Sequence, residues 1–162
     1  MFIDAAVQPP AVVAPAQPAM PQVAGFRPIR LRPSAIGHFH LSGTIAGKPV
    51  EVLIDTGASG TVIDRSWAES NGLTMKAMAG RGSGVGGAAM ALGMLDEHQL
   101  VLDGMTVTAN VVAMDLSNVT RQLAANNVTP PQIVVGVDVL RRHRAVIDYA
   151  TSTLWLAPAP QP

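Results

Sequence analysis

Hydrophobic and polar positions alternate with a period of two from residue 36 onward, which is typical of β-strands. In the stretch IGHFHLSGTIAGKPVEVLIDTG (36–57), one face of the first strand carries the apolar residues Phe39, Leu41 and Ile45. The other face carries the polar residues His38, His40, Ser42 and Thr44. Gly47 and Lys48 lie between two such runs, where they predict a hairpin turn. The second run, Val50–Ile54, ends directly before Asp55.

Short apolar runs separated by turn residues continue along the chain. TVIDRSWAESNGL (61–73) predicts a short strand and then a helix, with Asp64 or Ser66 as its N-cap. HQLVLDGMTVTANVVAM (98–114) predicts two strands around an Asp-Gly hairpin turn at 103 and 104.

The last third of the chain repeats this pattern. Asp115 is placed to cap a helix through Ala125, and QIVVGVDVLRRHRAVIDY (132–149) predicts a strand, a glycine, a short helix and another strand. A final strand is expected over Thr153–Leu156. Many short strands with two or three short helices predict an all-β fold, a small closed β-barrel.

Proline and alanine dominate the start of the chain. Residues 1–33 hold seven of the thirteen prolines, and prolines at this density cannot donate to a helix or a sheet ladder. We therefore expect a disordered leader or tether over 1–33, one folded domain over 34–157 and a disordered tail over 158–162.

The composition narrows the function classes. With 162 residues the chain has room for one ordinary domain, and a hydrophobic content of 48% allows a real core. The formal net charge of zero gives no attraction towards nucleic acid, so no nucleic-acid partner is expected. The absence of cysteine removes disulfides, thiolate metal sites and cysteine nucleophiles. No apolar run reaches the roughly 18 residues that span a bilayer.

Asp55 stands out because it follows the aliphatic run VLI and is followed at once by Thr-Gly-Ala. A carboxylate that is buried without partners loses its hydration at a high cost. Asp55 is therefore either a surface turn residue or a group with a chemical task. The glycines at 82–87 are compatible with a flexible surface loop or, less well, with a dinucleotide-binding loop, into which no strand is predicted to lead.

Three elements occur together in one order: LIDTGAS (53–59), GVGG (84–87) and IVVG (133–136) running into a helix. In this combination the chain resembles the retropepsin-like (retroviral-type) aspartic protease family, in its single-domain bacterial type, over residues 35–157. Asp-Thr-Gly alone is a weak signal, whereas Asp-Thr-Gly-Ala-Ser with both later elements in place is specific.

The resemblance implies a role for each matched residue. Asp55 would be catalytic, with active-site support from Thr56, Gly57 and Ala58. The flap, a hairpin that closes over the substrate in this family, would contain Gly84, Val85, Gly86 and Gly87. The strand beside the catalytic loop would contain Val134, Val135 and Gly136, with the glycine at a close approach.

The chemistry of such a site requires two acids. Hydrolysis of an amide without a metal needs one group that deprotonates water and another that protonates the carbonyl oxygen. Two carboxylates about 3 Å apart do both, because they share one proton and titrate as a unit. The chain has one Asp-Thr-Gly and no Asp-Ser-Gly, so the second carboxylate must come from Asp55 of another copy. We therefore expect a homodimeric aspartic endopeptidase that cleaves extended protein or peptide substrates and uses neither a metal nor a cofactor.

One departure from the retroviral pattern concerns the dimer. Retroviral members carry an Arg directly after the glycine that matches Gly136 and an Asp soon after the catalytic triplet, and the two form an ion pair. Here these positions hold Val137 and Ser59. The dimer contacts must therefore differ in detail, and a weak dimer is compatible with the sequence.

Other polar residues have simpler structural explanations. His38 and His40 are two residues apart on a strand, but no third metal ligand is suggested, so a solvated strand face is expected. The run Arg141–Arg144 ends a predicted helix, where cations complement the helix dipole. Asp138 and Asp148 are expected to cap or to pair with these arginines rather than to act in catalysis.

An alternative function on the same fold is a catalytically inactive module for peptide binding or dimerisation. The intact Asp-Thr-Gly triplet favours the enzyme, because binding alone has no chemical need for it. Some bacterial members of the family are tethered to a membrane, with the protease domain outside the cytoplasm. By this resemblance alone, a periplasmic or membrane-tethered location, with the tether preceding residue 1, is slightly favoured over the cytoplasm.

Ala58 generates a prediction about pH. Pepsin-like relatives commonly carry a hydroxyl residue here, which donates to the catalytic carboxylate and favours its ionised form. Because Ala58 cannot donate, we expect a pH optimum for peptide cleavage that is less acid than pepsin's. A pH–rate profile on a peptide substrate tests this, and a peak below about pH 3, against model carboxylate pKa values near 4, would contradict it.

Overall fold

The computed structural model describes residues 25–83, 89–96 and 98–159. Within these ranges the three helices are α1 (Arg65–Ser70), α2 (Ser117–Ala125) and α3 (Val137–Arg142). The strands in the same ranges are β1 (Arg27–Arg30), β2 (Arg32–Pro33), β3 (Phe39–Ile45), β4 (Lys48–Ile54), β5 (Val62–Asp64), β6 (Met75–Ser83), β7 (Ala89–Leu95), β8 (Leu100–Leu102), β9 (Met105–Val107), β10 (Val112–Met114), β11 (Ile133–Val135), β12 (Val146–Asp148) and β13 (Thr153–Leu156). The predicted all-β fold with two or three short helices is confirmed.

Most strands belong to one large sheet that curls into a half-barrel. Its strands lie in the order β6-β7-β10-β5-β11-β4-β3-β8-β9, and β2 pairs with β3 beside this path. A second, antiparallel sheet has the order β1-β13-β12. In the large sheet β11 lies between β4 and β5, parallel to β4 and antiparallel to β5.

The central strands β4 and β11 are buried on both faces, so their side chains alternate between two cores. In β4, Val52 and Ile54 belong to the main core, whereas Leu53 belongs to a second, smaller cluster. Val134 of β11 joins the smaller cluster, to which α2 contributes Leu123. A strand that is covered on both faces is apolar throughout, which explains the uninterrupted runs VLI and IVV.

Two hairpin turns have left-handed backbone at both central residues. The φ angles are 49° and 74° at Ala46 and Gly47, and 45° and 76° at Asp103 and Gly104. These values fit the type I′ turn, whose twist matches that of the flanking strands. The second turn lies where the sequence predicts it. The first lies one residue earlier than predicted, because Lys48 pairs with Ile45 and already belongs to β4.

The folded domain starts before the predicted boundary at residue 34. β1 pairs with β13, and β2 pairs with β3. Next to these pairings, Ile29 and Leu31 are buried in the main core. Pro28 and Pro33 fit because each stands in an edge strand, where a missing N–H group need not cost a ladder hydrogen bond.

The predicted leader and tail fall mainly on residues 1–24 and 160–162, which lie outside the described residues. The three helices contain six to nine residues each. Among the residues that the structure describes, no helix has the length and apolar composition to cross a membrane.

His40 does not lie on a solvated strand face, which corrects the prediction, because it is only 4% exposed. Its Nδ1 lies 3.1 Å from Glu51 Oε1, and Arg32 of β2 donates to both oxygens of this carboxylate at 2.7 and 2.8 Å. A polar side chain can be buried in this way when its polar groups are paired with those of its neighbours. Burial lowers the pKa of His40 below its ordinary value and outweighs the Glu51 carboxylate, which acts in the opposite direction.

We expect acidification to destabilise the fold through His40. The unfolded chain takes up a proton on this imidazole near its ordinary pKa of 6.5, whereas the folded chain does so only at lower pH. The unfolded state then binds more protons, so the free energy of unfolding falls as the pH drops below about 6.5. Thermal unfolding at about pH 7 and about pH 5 should show a smaller loss in His40→Gln than in the parent chain. Equal losses in both chains would contradict this role of His40.

Candidate active site

Asp55 is the first residue of the loop 55–61, which connects β4 to β5. Because β11 lies between these two strands, the loop has to cross the C-terminal end of β11. Asp55 is half-buried at this crossing. The topology therefore places Asp55 at the edge of the sheet where β4 and β11 end and β5 begins.

Backbone hydrogen bonds hold the loop to β11 and to the start of α3. The Asp55 amide donates to the Val135 carbonyl at 3.0 Å, and the Val137 amide donates to the Ala58 carbonyl at 2.8 Å. Within the loop, the Gly57 amide donates to Asp55 Oδ1 at 2.8 Å. This last bond closes a turn that fixes the direction of the carboxylate.

The residues after Asp55 differ in their surroundings. Thr56 and Gly57 are exposed, whereas Ala58 is half-buried against the smaller core cluster. A β-carbon at Gly57 would lie 3.2 Å from Asp55 Oδ1, so a side chain here would crowd the carboxylate. Within the described ranges the Thr56 hydroxyl has no hydrogen-bond partner, which leaves it available on the surface beside Asp55.

Gly136 lies where the loop passes over β11, directly after the buried residues Val134 and Val135. A β-carbon at Gly136 would lie 2.4 Å from the Gly60 carbonyl oxygen and 2.7 Å from that of Ala58. Both contacts are to backbone, which cannot rotate away as a side chain can. The absence of a side chain therefore allows the loop and the strand to approach this closely.

Side chains hold the far end of the loop. Thr61 is fully buried, and its hydroxyl accepts from the Gly136 amide at 3.2 Å and donates to Asp138 Oδ1 at 2.8 Å. The sequence patterns do not identify Thr61 or Asp138 as residues of the site. A polar residue directly before a short apolar strand is a signal that could have identified Thr61. Nothing local links it to Asp138, because 77 positions separate the two.

Two other acidic residues serve local structure. Asp64, one of the two predicted N-caps, caps α1 by accepting from the Trp67 amide at 3.0 Å, and it also accepts from the Leu116 amide at 3.2 Å. Asp148 accepts from the Thr151 amide at 3.2 Å. In the described part of the chain, no three His, Asp or Glu side chains are close enough together to hold a metal ion.

The strands β6 and β7 form an antiparallel hairpin in which Ser83 pairs with Ala89. The predicted flap residues follow Ser83 in the sequence and lie outside the described residues; they are Gly84, Val85, Gly86 and Gly87. A strand does lead into this glycine-rich segment, contrary to the prediction. An antiparallel strand rather than a helix follows it, which differs from a dinucleotide-binding loop.

An open depression of about 570 Å³ lies beside the Asp55 loop. It is lined by Thr56, Val137, Leu140, Arg141, Arg144, Ala145, Ile147 and Tyr149. Tyr149 is 67% exposed, although its ring contacts Phe39 with a centroid separation of 5.2 Å. Val146, on the neighbouring strand β12, is 44% exposed. The depression thus combines apolar residues with two arginines and one threonine, next to two exposed apolar side chains.

Known proteins share this sequence pattern. Residues 41–139 match the sequence model of a family described as aspartyl protease. The chain is 29% identical to DNA damage-inducible protein 1 of Kluyveromyces lactis over 121 residues, which cover 73% of this chain and 26% of that protein. It is 25% identical to the Saccharomyces cerevisiae protein of the same name over 112 residues, which cover 67% of this chain and 23% of that protein. The chain thus spans about a quarter of the length of these curated relatives.

Solved structures share the fold. The retroviral protease-like domain of Ddi1 from Leishmania major has a TM-score of 0.52 at 20% identity, covering 75% of this chain and 93% of that chain. A retropepsin-like aspartic protease from Rickettsia conorii has a TM-score of 0.52 at 18% identity, covering 81% of this chain and 90% of that chain. At these identities the similarity shows the fold.

Replacing Gly136 with alanine should destabilise the protein. The new β-carbon would meet two backbone carbonyl oxygens, so the loop would have to move away from β11. We expect the free energy of unfolding, measured by denaturant titration, to fall by about 2–3 kcal/mol. Gly60→Ala is the matched control: its β-carbon would contact nothing within 4 Å, so its effect should stay within about 0.5 kcal/mol. Equal effects of the two substitutions would contradict the close approach.

Proposed function

The chain belongs to the retropepsin-like aspartyl protease family, and we propose that it is an aspartic endopeptidase that works as a homodimer. Family membership supports a protease-type function. The observation that carries the proposal is the Asp55 turn at the crossing of the central strands. In the described part of the chain, the hydrogen-bond donor to the Asp55 carboxylate is the Gly57 amide, which orients the group.

The proposed active site contains Asp55 from each of two chains, facing one another across a two-fold axis. At short distance the two carboxyl groups share one proton, because both cannot be ionised together. The ionised group takes a proton from a water molecule as the water oxygen attacks the carbonyl carbon of the peptide. The protonated group gives its proton to the carbonyl oxygen, so a neutral geminal diol forms. The protonated carboxyl group then gives its proton to the amide nitrogen, and the C–N bond breaks. One diol hydroxyl gives its proton to the ionised carboxylate, so the pair again shares one proton.

The depression beside the Asp55 loop supports the dimer. It places the half-buried apolar side chain of Val137 next to Thr56, whose hydroxyl is unpaired within the described ranges. A second copy docked here would bury this surface and offer a partner to the Thr56 hydroxyl. Because Val137 takes the position of the retroviral arginine, the contact at this point would be apolar rather than ionic.

Substrates are proposed to bind as extended polypeptides between the Asp55 loop and the β6–β7 hairpin. An extended peptide can pair with a strand and present alternate side chains to pockets on the protein. Gly84–Gly87, which lie between β6 and β7 in the sequence, would bring backbone close to the bound peptide and bend over it as a flap. The family resemblance and the glycine content support this role.

Asp55→Asn should abolish peptide cleavage. Asparagine keeps the shape of the side chain and an oxygen that accepts from the Gly57 amide, so the turn is preserved. The amide cannot take a proton from water, so we expect kcat to fall about 100-fold or more. Cleavage of a denatured protein or a peptide library, followed between mildly acid and neutral pH, provides the measurement.

Controls separate the enzyme from the alternative functions. Asp103→Asn, in an exposed hairpin turn that asparagine also tolerates, should keep the parent activity. A statine-type transition-state mimic should block the parent and favour the dimer in sedimentation velocity. Peptide that is bound but left uncut by the parent would indicate a binding module instead. A chain that stays monomeric even with the mimic would contradict the homodimer.

A further inference from the structure

Side chains fix the far end of the Asp55 loop, and we infer that Asp138 is a positioning residue for the catalytic carboxylate. Asp138 acts through Thr61, since its Oδ1 accepts the Thr61 hydroxyl proton at 2.8 Å. The inference rests on the proposed function, because it concerns how the proposed catalytic group is held.

The loop has four points of attachment, and they differ in kind. The first is the bond from the Asp55 amide to Val135, and the second is the bond from the Val137 amide to Ala58. The third is the bond from the Val112 amide to the Thr61 carbonyl at 3.0 Å. These three join backbone to backbone, so they place no demand on residue type. The fourth is the Thr61 hydroxyl, which depends on a particular side chain and on the acceptor that orients it.

A hydroxyl group has one proton, so it donates once and accepts with its lone pairs. Donation from Thr61 to Asp138 leaves a lone pair directed to the Gly136 amide at 3.2 Å. Thr61 is 0% exposed and Gly136 is also buried, so bulk water cannot replace either bond. Without Asp138, the hydroxyl proton would lose its acceptor, and the Gly136 amide would lose the lone pair that is held in place for it.

The start of α3 therefore holds the loop at two positions. Val137, its first residue, donates to the loop through its amide, and Asp138, its second, binds the loop through its carboxylate. A carboxylate in the first turn of a helix also interacts favourably with the free amides there. Of the two predicted roles for Asp138, capping or pairing with the arginines, the ion pair with Arg141 or Arg142 is absent among the described residues.

Loss of the Thr61 hydroxyl bonds would leave the far end of the loop attached to β10 through the Val112 amide, but no longer attached to Gly136 and α3. Asp55 and Thr61 are the ends of this seven-residue loop, which is therefore held at its beginning, its middle and its end. Two carboxyl groups that share a proton across a dimer axis tolerate little displacement. A shift of about 1 Å in a catalytic group can cost about 100-fold in rate. Asp138 should thus affect kcat more than substrate binding.

The experiment compares Asp138→Ala, which removes the acceptor, with Asp138→Asn, which keeps an oxygen for the Thr61 hydroxyl. We expect kcat for peptide cleavage to fall about 10- to 100-fold in Asp138→Ala, with KM changed less than about threefold. Asp138→Asn should retain most of the parent kcat. Asp115→Ala is the matched control, since Asp115 accepts from the Ser117 amide at the start of a different helix and should leave kcat unchanged.

Amide hydrogen exchange at Gly136 gives a readout that does not need activity. Exchange should be at least about 10-fold faster in Asp138→Ala and in Thr61→Val than in the parent, and unchanged in Asp138→Asn. If Asp138→Ala does not fold, Asp138→Ser takes its place, because its shorter side chain keeps a polar first turn but cannot reach Thr61.

The outcomes separate the two proposals. If the parent chain cleaves no substrate, the proposed function is contradicted. Hydrogen exchange at Gly136 still tests whether Asp138 holds the Thr61 hydroxyl in place. Parent-like kcat and exchange in Asp138→Ala would overturn the inference. Equal damage by Asp138→Asn and Asp138→Ala would overturn it too, because the charge rather than the hydrogen bond would then be required.

Discussion

The close contact between two backbone segments at Gly136 determines how the candidate site is built. β11 lies between β4 and β5, so the chain that joins those two strands has to pass over the end of β11. A β-carbon at the crossing would lie 2.4 Å from the Gly60 carbonyl oxygen, so the two segments approach as closely as glycine permits. This proximity allows the Asp55 and Val137 amides to bind across the crossing, and it places one carboxyl group at the centre of the sheet.

Features that depend on neighbouring residues could be predicted from the sequence. The Asp-Gly turn after Leu102, the N-cap at Asp64 and the strand-glycine-helix order around Gly136 all follow from local rules. The apolar runs of β4 and β11 indicated strands, although their burial on both faces and their division between two cores became visible only with α2 in place.

Features that depend on distant residues could not be predicted. Arg27 pairs with Leu156, so the local proline content concealed the first strand. His40 is buried beneath an ion pair between Glu51 and Arg32, which lie on the two strands that neighbour its own. The alternation of polar and apolar residues along one strand does not indicate such pairing between strands. The family resemblance identified the Asp55 loop as the candidate site, but the side chains that hold its far end come from opposite halves of the domain.

The order in which the chain is made gives the crossing a further consequence. Val52 pairs with Ile133, and the Glu51 amide binds the Gln132 side chain across 81 positions. During synthesis, β4 and the loop after it therefore leave the ribosome well before β11, the strand to which they bind. Bringing the ends of so long a segment together lowers the chain entropy before the contacts that stabilise the pairing have formed. Parallel pairing of this kind is therefore slow. An unfinished polypeptide consequently carries Asp55 without its surroundings, and the Asp55 loop becomes ordered only after β11 has been made.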